Sequence, residues 1–233
     1  MKKNKLMMAV VSASLVGVVA VGGTLAYLSD KSNDVTNTFT LGTGYATNAL
    51  TLDETKVTPG AELPTAPAPG KENRVGTDQS YPDLLPGAEF AKDPTFHLEA
   101  NSPKSYIIAK VTNAQAAEDA NYIFKDAAKN VGFDSNWKKV ANSDDKIIGK
   151  DGVADDGSLD GYYLFVDDNK AGKIVEGGQS TEAIFTYVQL DPSVNNTNLS
   201  GSDNKTTTVI GVAVQADNNT EGNAVAEAVQ LLK

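Results

Sequence analysis

The amino-acid sequence predicts an all-β protein: a jelly-roll-like antiparallel β-sandwich with a short helical insert and a C-terminal helix. Short stretches rich in β-branched and aromatic residues alternate with turn sequences, and one Ala-rich stretch without Pro or Gly interrupts them. Many short strands with a single helical insert are typical of a sandwich. The chain has 233 residues, of which 40% are hydrophobic, and this is enough to bury a substantial core.

Residues 1–26 are typical of a secretory signal peptide. Lysines at the start precede an apolar run from Leu6 to Val21, and small residues lead to Ala26. The run has sixteen residues, fewer than the roughly 20 that a membrane-spanning helix requires. We therefore expect a signal peptidase to cleave between Ala26 and Tyr27, and the product to be secreted to the extracellular matrix or the cell surface.

Residues 27–42 are predicted to form a separate strand segment before the sandwich domain at 43–233. Val35, Phe39 and Leu41 alternate with threonines, so one face of an extended strand would be apolar. A half-apolar strand near a free terminus suits addition to the sheet of a second subunit. Pairing of this strand within its own subunit is the alternative.

A Pro-rich loop is predicted at 55–80, because four prolines and three glycines occur there without any apolar period. Beyond it, two turn sequences separate the short strands of a meander. In the last of these strands, Ile107, Ala109 and Val111 are predicted to face the core and Lys110 to face water.

The second half of the chain contains both predicted helical regions. Residues 114–130 lack Pro and Gly and are rich in Ala, which predicts one or two short helices. Val225, Val229 and Leu232 repeat at helical spacing, which predicts an amphipathic helix that caps the sandwich. Further strands are predicted at 161–166, 173–175, 183–190 and 206–216.

Composition excludes several classes of function. The chain has no Cys and one His, so thiolate catalysis, Cys-ligated zinc and the HExxH helix of zinc proteases are excluded. The net charge is −10, and removal of the leader makes it three units more negative because Lys2, Lys3 and Lys5 lie there. Such a protein repels nucleic acid and anionic lipid. We expect no enzyme, no nucleic-acid partner and no membrane association after processing.

One acidic loop is a candidate cation site. It offers closely spaced carboxylate oxygens, which a hard cation such as calcium requires, but its spacing does not match an EF-hand. A solvated turn is the simpler interpretation, and a weak calcium site is the alternative. No other cofactor and no catalytic residue is predicted. The candidate ligands are Asp151, Asp155, Asp156 and Asp160.

Two single residues, His97 and Trp137, have alternative interpretations. Any Ser-His-Asp triad would have to include His97, which is a poor anchor for a metal ion without a second histidine. It faces solvent or a neighbouring loop if Phe96 and Leu98 face the core. Trp137 is predicted to lie in the core or to cover a sheet edge, with stacking on a sugar ring as the alternative.

Two motifs near the N-terminus carry a family resemblance. The leader ends in Gly-Gly-Thr-Leu-Ala-Tyr at 22–27, and Asn-Thr-Phe-Thr-Leu-Gly follows at 37–42. Shorter and weaker similarities occur at 85–94, 161–163 and 178–185, and at 213–228. On these motifs the chain resembles the TasA/camelysin family of secreted biofilm-matrix proteins, whose leaders are removed by a dedicated signal peptidase, SipW.

The resemblance implies a jelly-roll subunit that forms fibres with itself or with related matrix subunits. In family fibres the freed N-terminal strand of one subunit completes the sheet of the next, which would place Val35, Phe39 and Leu41 against the neighbour. Some members carry a metallopeptidase label, which is not transferred here because HExxH is missing. The alternative function is a surface adhesin or carbohydrate-binding module that uses Trp137 and the Tyr162-Tyr163 pair, either with or without calcium.

Overall fold

Eleven antiparallel strands and two α-helices form the regular structure of the residues that the computed structural model describes, which are 45–58, 60–81, 84–194 and 206–233. Residues 46–233 belong to one compact unit. Neither helix in these ranges is long and apolar enough to cross a bilayer. The predicted all-β fold with a helical insert and a C-terminal helix is confirmed.

The elements follow one another along the chain with a short 3-10 turn at Lys71–Asn73. The strands are β1 (Leu50–Thr55), β2 (Arg74–Val75), β3 (Glu89–Ala91), β4 (Thr95–Leu98), β5 (Ser105–Thr112), β6 (Tyr122–Lys125), β7 (Trp137–Asn142), β8 (Gly161–Phe165), β9 (Ile174–Val175), β10 (Tyr187–Leu190) and β11 (Thr208–Gln215). The helices are α1 (Ala114–Glu118) and α2 (Glu221–Leu231).

The largest sheet has the strand order β11-β5-β8-β7, and β9 pairs with the beginning of β5. Strands β5 and β11 form the longest ladder, which runs in register from Thr112 opposite Thr208 to Ser105 opposite Gln215. Both strands are eight residues long and rich in β-branched residues, which fit a pleated, half-buried surface. This ladder anchors the large sheet.

Two smaller sheets, β2-β1-β4 and β3-β10-β6, pack against the inner face of the large sheet. The ring of Phe96 in β4 lies 5.8 Å from Trp137 in β7, measured between ring centroids. Phe133, in the loop before β7, lies 5.1 Å from Tyr163 in β8 and 5.4 Å from Phe185 before β10. Aromatic side chains therefore fill the interior of the sandwich and join its layers.

The outer face of the large sheet is covered by α2, as predicted. Thr220 caps this helix by accepting the N–H of Asn223 at 3.3 Å. Ala224, Val225, Ala228 and Val229 are buried against the sheet. Their spacing places them on one side of the helix, which explains why the apolar repeat in the sequence located the helix correctly.

Lys110 does not face water, contrary to the expectation from strand alternation. Its side chain is 16% exposed, and its Nζ donates a hydrogen bond to the carbonyl of Leu232 at 3.1 Å. The same Nζ lies 4.8 Å from the ring centroid of Tyr162, within the range of a cation–π interaction. The alternation was right, but the C-terminal residues cover the face on which Lys110 lies.

The helical insert is shorter than its composition predicts. Helix α1 ends at Glu118, and Tyr122–Lys125 within the predicted helical region forms strand β6. Asn121 has a positive φ of 69°, so the helix cannot continue through it. Strand β6 then pairs with β10, and this tertiary pairing overrides the helix propensity of the flanking alanines. The strand predicted at 183–190 begins only at Tyr187.

Replacement of Gly211 by Ala is expected to destabilise the sandwich by about 1–3 kcal/mol. A Cβ atom at this position would lie 2.3 Å from Cε1 of Phe96, whose side chain is 1% exposed and has little room to move. Chemical denaturation measures the effect. Gly222→Ala is the matched control, because no atom lies within 4 Å of its Cβ position. Equal stability of the two variants would contradict this description of the packing.

Candidate functional site

The predicted cleavage and assembly residues lie outside the described part of the chain. These are Ala26 and Tyr27 at the cleavage position, and Val35, Phe39 and Leu41 in the assembly strand. Their roles stay predictions. The first described residue is Tyr45, five residues before β1 begins. The strands near this point are therefore the first place to look for a surface that receives such a segment.

The four candidate calcium ligands do not converge on one point. Asp155 and Asp156 contact the same cation, Nζ of Lys139, and the Asp155 oxygen lies 2.9 Å from it. The hydrogen bond from Lys139 lowers the pKa of Asp156 below its ordinary value, despite the opposing effect of burial. Asp160 instead accepts the N–H groups of Ala114 and Gln115 at 2.7 and 3.1 Å, at the start of α1.

Asp151, the fourth candidate, is exposed in a turn and has a positive φ of 51°. Among the described residues, no group of three or more His, Asp or Glu side chains could hold a metal ion. In this loop, Asp155 and Asp156 therefore form ion pairs with Lys139, and Asp160 accepts hydrogen bonds from the first residues of α1. Calcium binding remains an untested alternative.

The aromatic residues of the predicted sugar-binding face are buried. Trp137 is 5% exposed, and its Nε1–H donates to the carbonyl of Glu182 at 3.1 Å. Tyr162 and Tyr163 are 0% and 5% exposed, respectively. A sugar ring needs an accessible aromatic face to stack on, so the sugar-stacking alternative for these three residues is wrong.

Replacement of Trp137 by Ala is expected to lower the free energy of unfolding by about 3–5 kcal/mol, because it leaves a cavity between aromatic rings. The rings of Phe96 and Phe165 lie 5.8 and 5.2 Å from Trp137 between centroids. Urea unfolding followed by circular dichroism measures this loss. A variant as stable as the unmodified protein would show that Trp137 is not part of the core.

His97 belongs to a hydrogen-bonded chain of Asp53, His97 and Ser180 on the outer face of β1 and β4. Its Nε2 lies 2.9 Å from Oδ1 of Asp53, and its Nδ1 lies 2.6 Å from Oγ of Ser180. The pairing of β1 with β4 brings Asp53 beside His97, and a bridge between His97 and Ser180 brings the serine. No local pattern could have revealed this set, because Asp53 and Ser180 are 44 and 83 residues from His97 along the chain.

Arg74 forms ion pairs with two carboxylates at this hydrogen-bonded set, those of Asp53 and Asp93. Its Nε donates to Oδ1 of Asp53 at 2.6 Å, and its Nη1 contacts the buried carboxylate of Asp93. Asp93 in turn accepts the N–H of Thr55 at 2.8 Å. One guanidinium thus bridges two carboxylates, one on β1 and one just before β4. The arrangement is a clamp that holds the segment after β1 against the sheet.

The pKa of Asp53 lies below its ordinary value. Burial alone would raise this pKa, but hydrogen bonds from His97 and Arg74 outweigh burial by favouring the ionised form. A carboxyl group whose pKa is lower in the folded than in the unfolded chain stabilises the fold above the unfolded-state pKa. That contribution is lost as the pH falls through the folded-state pKa.

Replacement of Asp53 by Asn is expected to reduce the free energy of unfolding at pH 7 by about 1–3 kcal/mol, since Arg74 loses a charged partner. Below a pH of about 4 the difference from the unmodified protein should shrink, because Asp53 is protonated first in the unfolded chain, and it should vanish as the pH falls through the lower folded-state pKa. Urea titrations across this pH range measure both values. Asp144→Asn, which removes an exposed pair with Lys146, is the control and should change little. A difference that is constant with pH would contradict the clamp.

The sandwich is incompletely covered along β1. In this strand, Leu50 and Leu52 lie opposite Leu98 and Phe96 of β4 and share their inward-facing side. Leu98 and Phe96 are 2% and 1% exposed, whereas Leu50 and Leu52 are only half-buried. The four side chains belong to one apolar layer. This layer is therefore less deeply buried on the β1 side than on the β4 side.

Strand β11 of the opposite sheet has the same property. It lies against β1 and ends the large sheet, since no other described strand pairs with its outer edge. Its inward-facing residues Val209, Gly211 and Ala213 are half-buried, while Ala109 opposite Gly211 is 0% exposed. We call this region the open side of the sandwich. Its residues are Leu50, Leu52, Val209, Gly211 and Ala213.

Comparison with known proteins gives one match. Residues 1–63 match the family model described as camelysin metallo-endopeptidase. Neither the curated proteins nor the solved structures contain a match to the chain. The matched segment includes both N-terminal motifs and extends through β1, so the predicted resemblance to the TasA/camelysin family is confirmed there.

Proposed function

We propose, from the match of residues 1–63 to the camelysin family model, that this chain is a secreted structural protein of the cell surface or biofilm matrix. Its subunits assemble into fibres when the N-terminal strand of one copy completes the sandwich of another. The observation that carries this proposal is the open side, where apolar residues between the large sheet and the sheet of β1 are only half-buried in the described part of the chain.

The sequence supplies a segment of the kind that the open side requires. Val35, Phe39 and Leu41 give residues 27–42 an apolar face, and the threonines between them give it a polar face. A strand of this kind covers apolar core residues with one face and meets water with the other. Cleavage after Ala26 would leave the segment at a free terminus, which is the condition for its transfer to another subunit.

The net negative charge of the chain also favours a contact between copies that is made by main-chain hydrogen bonds and uncharged side chains. The chain carries a net charge of −10, so two copies repel each other unless they meet through uncharged surfaces. Residues 35–41 contain no charged side chain, and neither does β11. Main-chain hydrogen bonds and apolar burial can therefore form the contact without bringing acidic groups together.

We propose no enzymatic activity, although the name of the matching family includes metallo-endopeptidase. The single histidine of the chain cannot supply the two histidines of an HExxH helix. The binding-module alternative lacks support because its aromatic residues are buried in the core. Self-assembly is the function that the open side favours.

Removal of residues 27–41 is expected to abolish fibre formation. Negative-stain electron microscopy of residues 27–233 and of residues 42–233, incubated at equal concentration, tests this. We expect filaments from the longer protein only, because the shorter one retains the open side but has no strand to donate. Filaments from both proteins, or from neither, would contradict self-assembly by strand donation.

A matched pair of substitutions separates the apolar face of the strand from its polar face. Phe39→Ser removes a large apolar side chain that is expected to enter the neighbouring subunit, and should weaken assembly. Thr40→Ser changes the opposite face and should leave assembly unchanged. Equal effects of the two substitutions would argue against an extended strand with one buried face.

A further inference from the structure

We propose that the outer edge of β11 is the acceptor that binds residues 35–41 of a second copy of this chain, as an added strand of the large sheet. This inference rests on the proposed function, which requires an acceptor but does not say which strand provides it. The open side has two candidate edges, one on β1 and one on β11. Backbone geometry and side-chain chemistry distinguish between them.

The backbone of β11 has hydrogen-bonding groups that point away from its partner strand. The N–H of Ala216 donates to the carbonyl of Lys104 at 2.7 Å, which sets the hydrogen-bonding pattern of the ladder. Even-numbered residues of β11 therefore bond to β5, and Val209, Gly211 and Ala213 direct their N–H and C=O groups outward. These three residues bond to no other strand within the described ranges.

The corresponding edge of β1 is partly occupied. Glu54 and Thr55 pair with β2 on that side. Gly76, which follows β2, lies very close to β1: a Cβ atom on it would lie 2.8 Å from the carbonyl oxygen of Leu52. An incoming strand would have to displace this segment, whereas the segment of β11 from Val209 to Ala213 presents three consecutive outward positions.

Strand β11 carries none of the features by which proteins protect an exposed edge. Its sequence from Thr208 to Gln215 contains no Lys, no Pro and no acidic residue, and its pairing with β5 has no bulge. Ile210 is 44% exposed on the face that also carries α2. Long, uncharged, apolar edges pair readily with another strand, so an edge of this kind in an acidic protein is suited to binding one.

The two faces of the added strand match the two faces of β11. The inward-facing side chains of Val209 and Ala213 are small and half-buried, whereas the ring of Phe96 fills the space inward of Gly211. Val35, Phe39 and Leu41 would extend this layer and cover Leu50 and Leu52 across the sandwich. The threonines of the added strand would then lie on the same face as Ile210.

A charge placed on the acceptor edge tests the inference. Ile210→Lys in residues 27–233 should abolish filaments, because edge lysines block strand addition. Ile174→Lys is the matched control, since Ile174 is also 44% exposed but lies in β9, away from this edge. We expect filaments from the control only, with both variants folded by circular dichroism. Filaments from Ile210→Lys would overturn the assignment of β11 as the acceptor.

Disulfide trapping gives a second readout that does not depend on filaments. The chain has no cysteine, so engineered thiols have no native competitor. Chains of residues 27–233 that carry Thr36→Cys, Thr38→Cys or Thr40→Cys are each mixed with chains that carry Ile210→Cys and are then oxidised. One of these donor positions should give the mixed dimer, because side chains opposite each other on paired strands are close enough to bond.

The controls assign each outcome. Thr51→Cys, on β1, and Ile174→Cys replace Ile210→Cys and should give no mixed dimer. Trapping through Thr51→Cys would overturn β11 in favour of β1. The absence of any mixed dimer, with filaments that still require residues 27–41, would overturn this inference and leave the proposed function standing. Filaments that do not require those residues would instead remove the proposed function itself.

Discussion

The antiparallel ladder between β5 and β11 is the constraint on which the other features of the sandwich depend. Eight residue pairs hold β11 in a fixed register on one side, while its other side has no partner among the described strands. The register determines which β11 residues face the interior, which face α2 and which backbone groups point outward. An edge with these properties follows directly from the pairing pattern of antiparallel strands.

The two faces of the large sheet are closed by different means. Helix α2 covers the outer face with Ala224, Val225, Ala228 and Val229. The inner face meets the aromatic side chains of the two smaller sheets, and Arg74 clamps the segment after β1 to that layer. These contacts close both faces of the sheet, while Leu50 and Leu52 of β1 and Val209 and Ala213 of β11 stay half-buried at the margin between the two strands. Within the described ranges, the sandwich thus combines a tightly packed core with a half-buried margin.

Sequence periodicity predicted the local features and missed the contacts between distant segments. The alternation in β5 and the helical repeat of Val225 and Val229 located these elements, because each pattern reflects burial of one face of one element. The pairing of β6 and the environment of Lys110 depend on segments far away in the chain, so local patterns could not predict them. The clamp of Asp53, Arg74 and His97 was missed for the same reason.

The same limit on prediction from local sequence patterns applies to the candidate assembly site. The sequence predicted that residues 27–42 form a strand suited to donation, but a receiving edge is a property of sheet order, which no local pattern contains. A cryo-electron microscopy map of filaments of residues 27–233 tests the central claim most directly. We expect an extended segment of one subunit beside Thr208–Gln215 of the next, with apolar side chains over Leu50 and Leu52. A map in which this edge faces solvent, or in which another surface joins the subunits, would contradict the account.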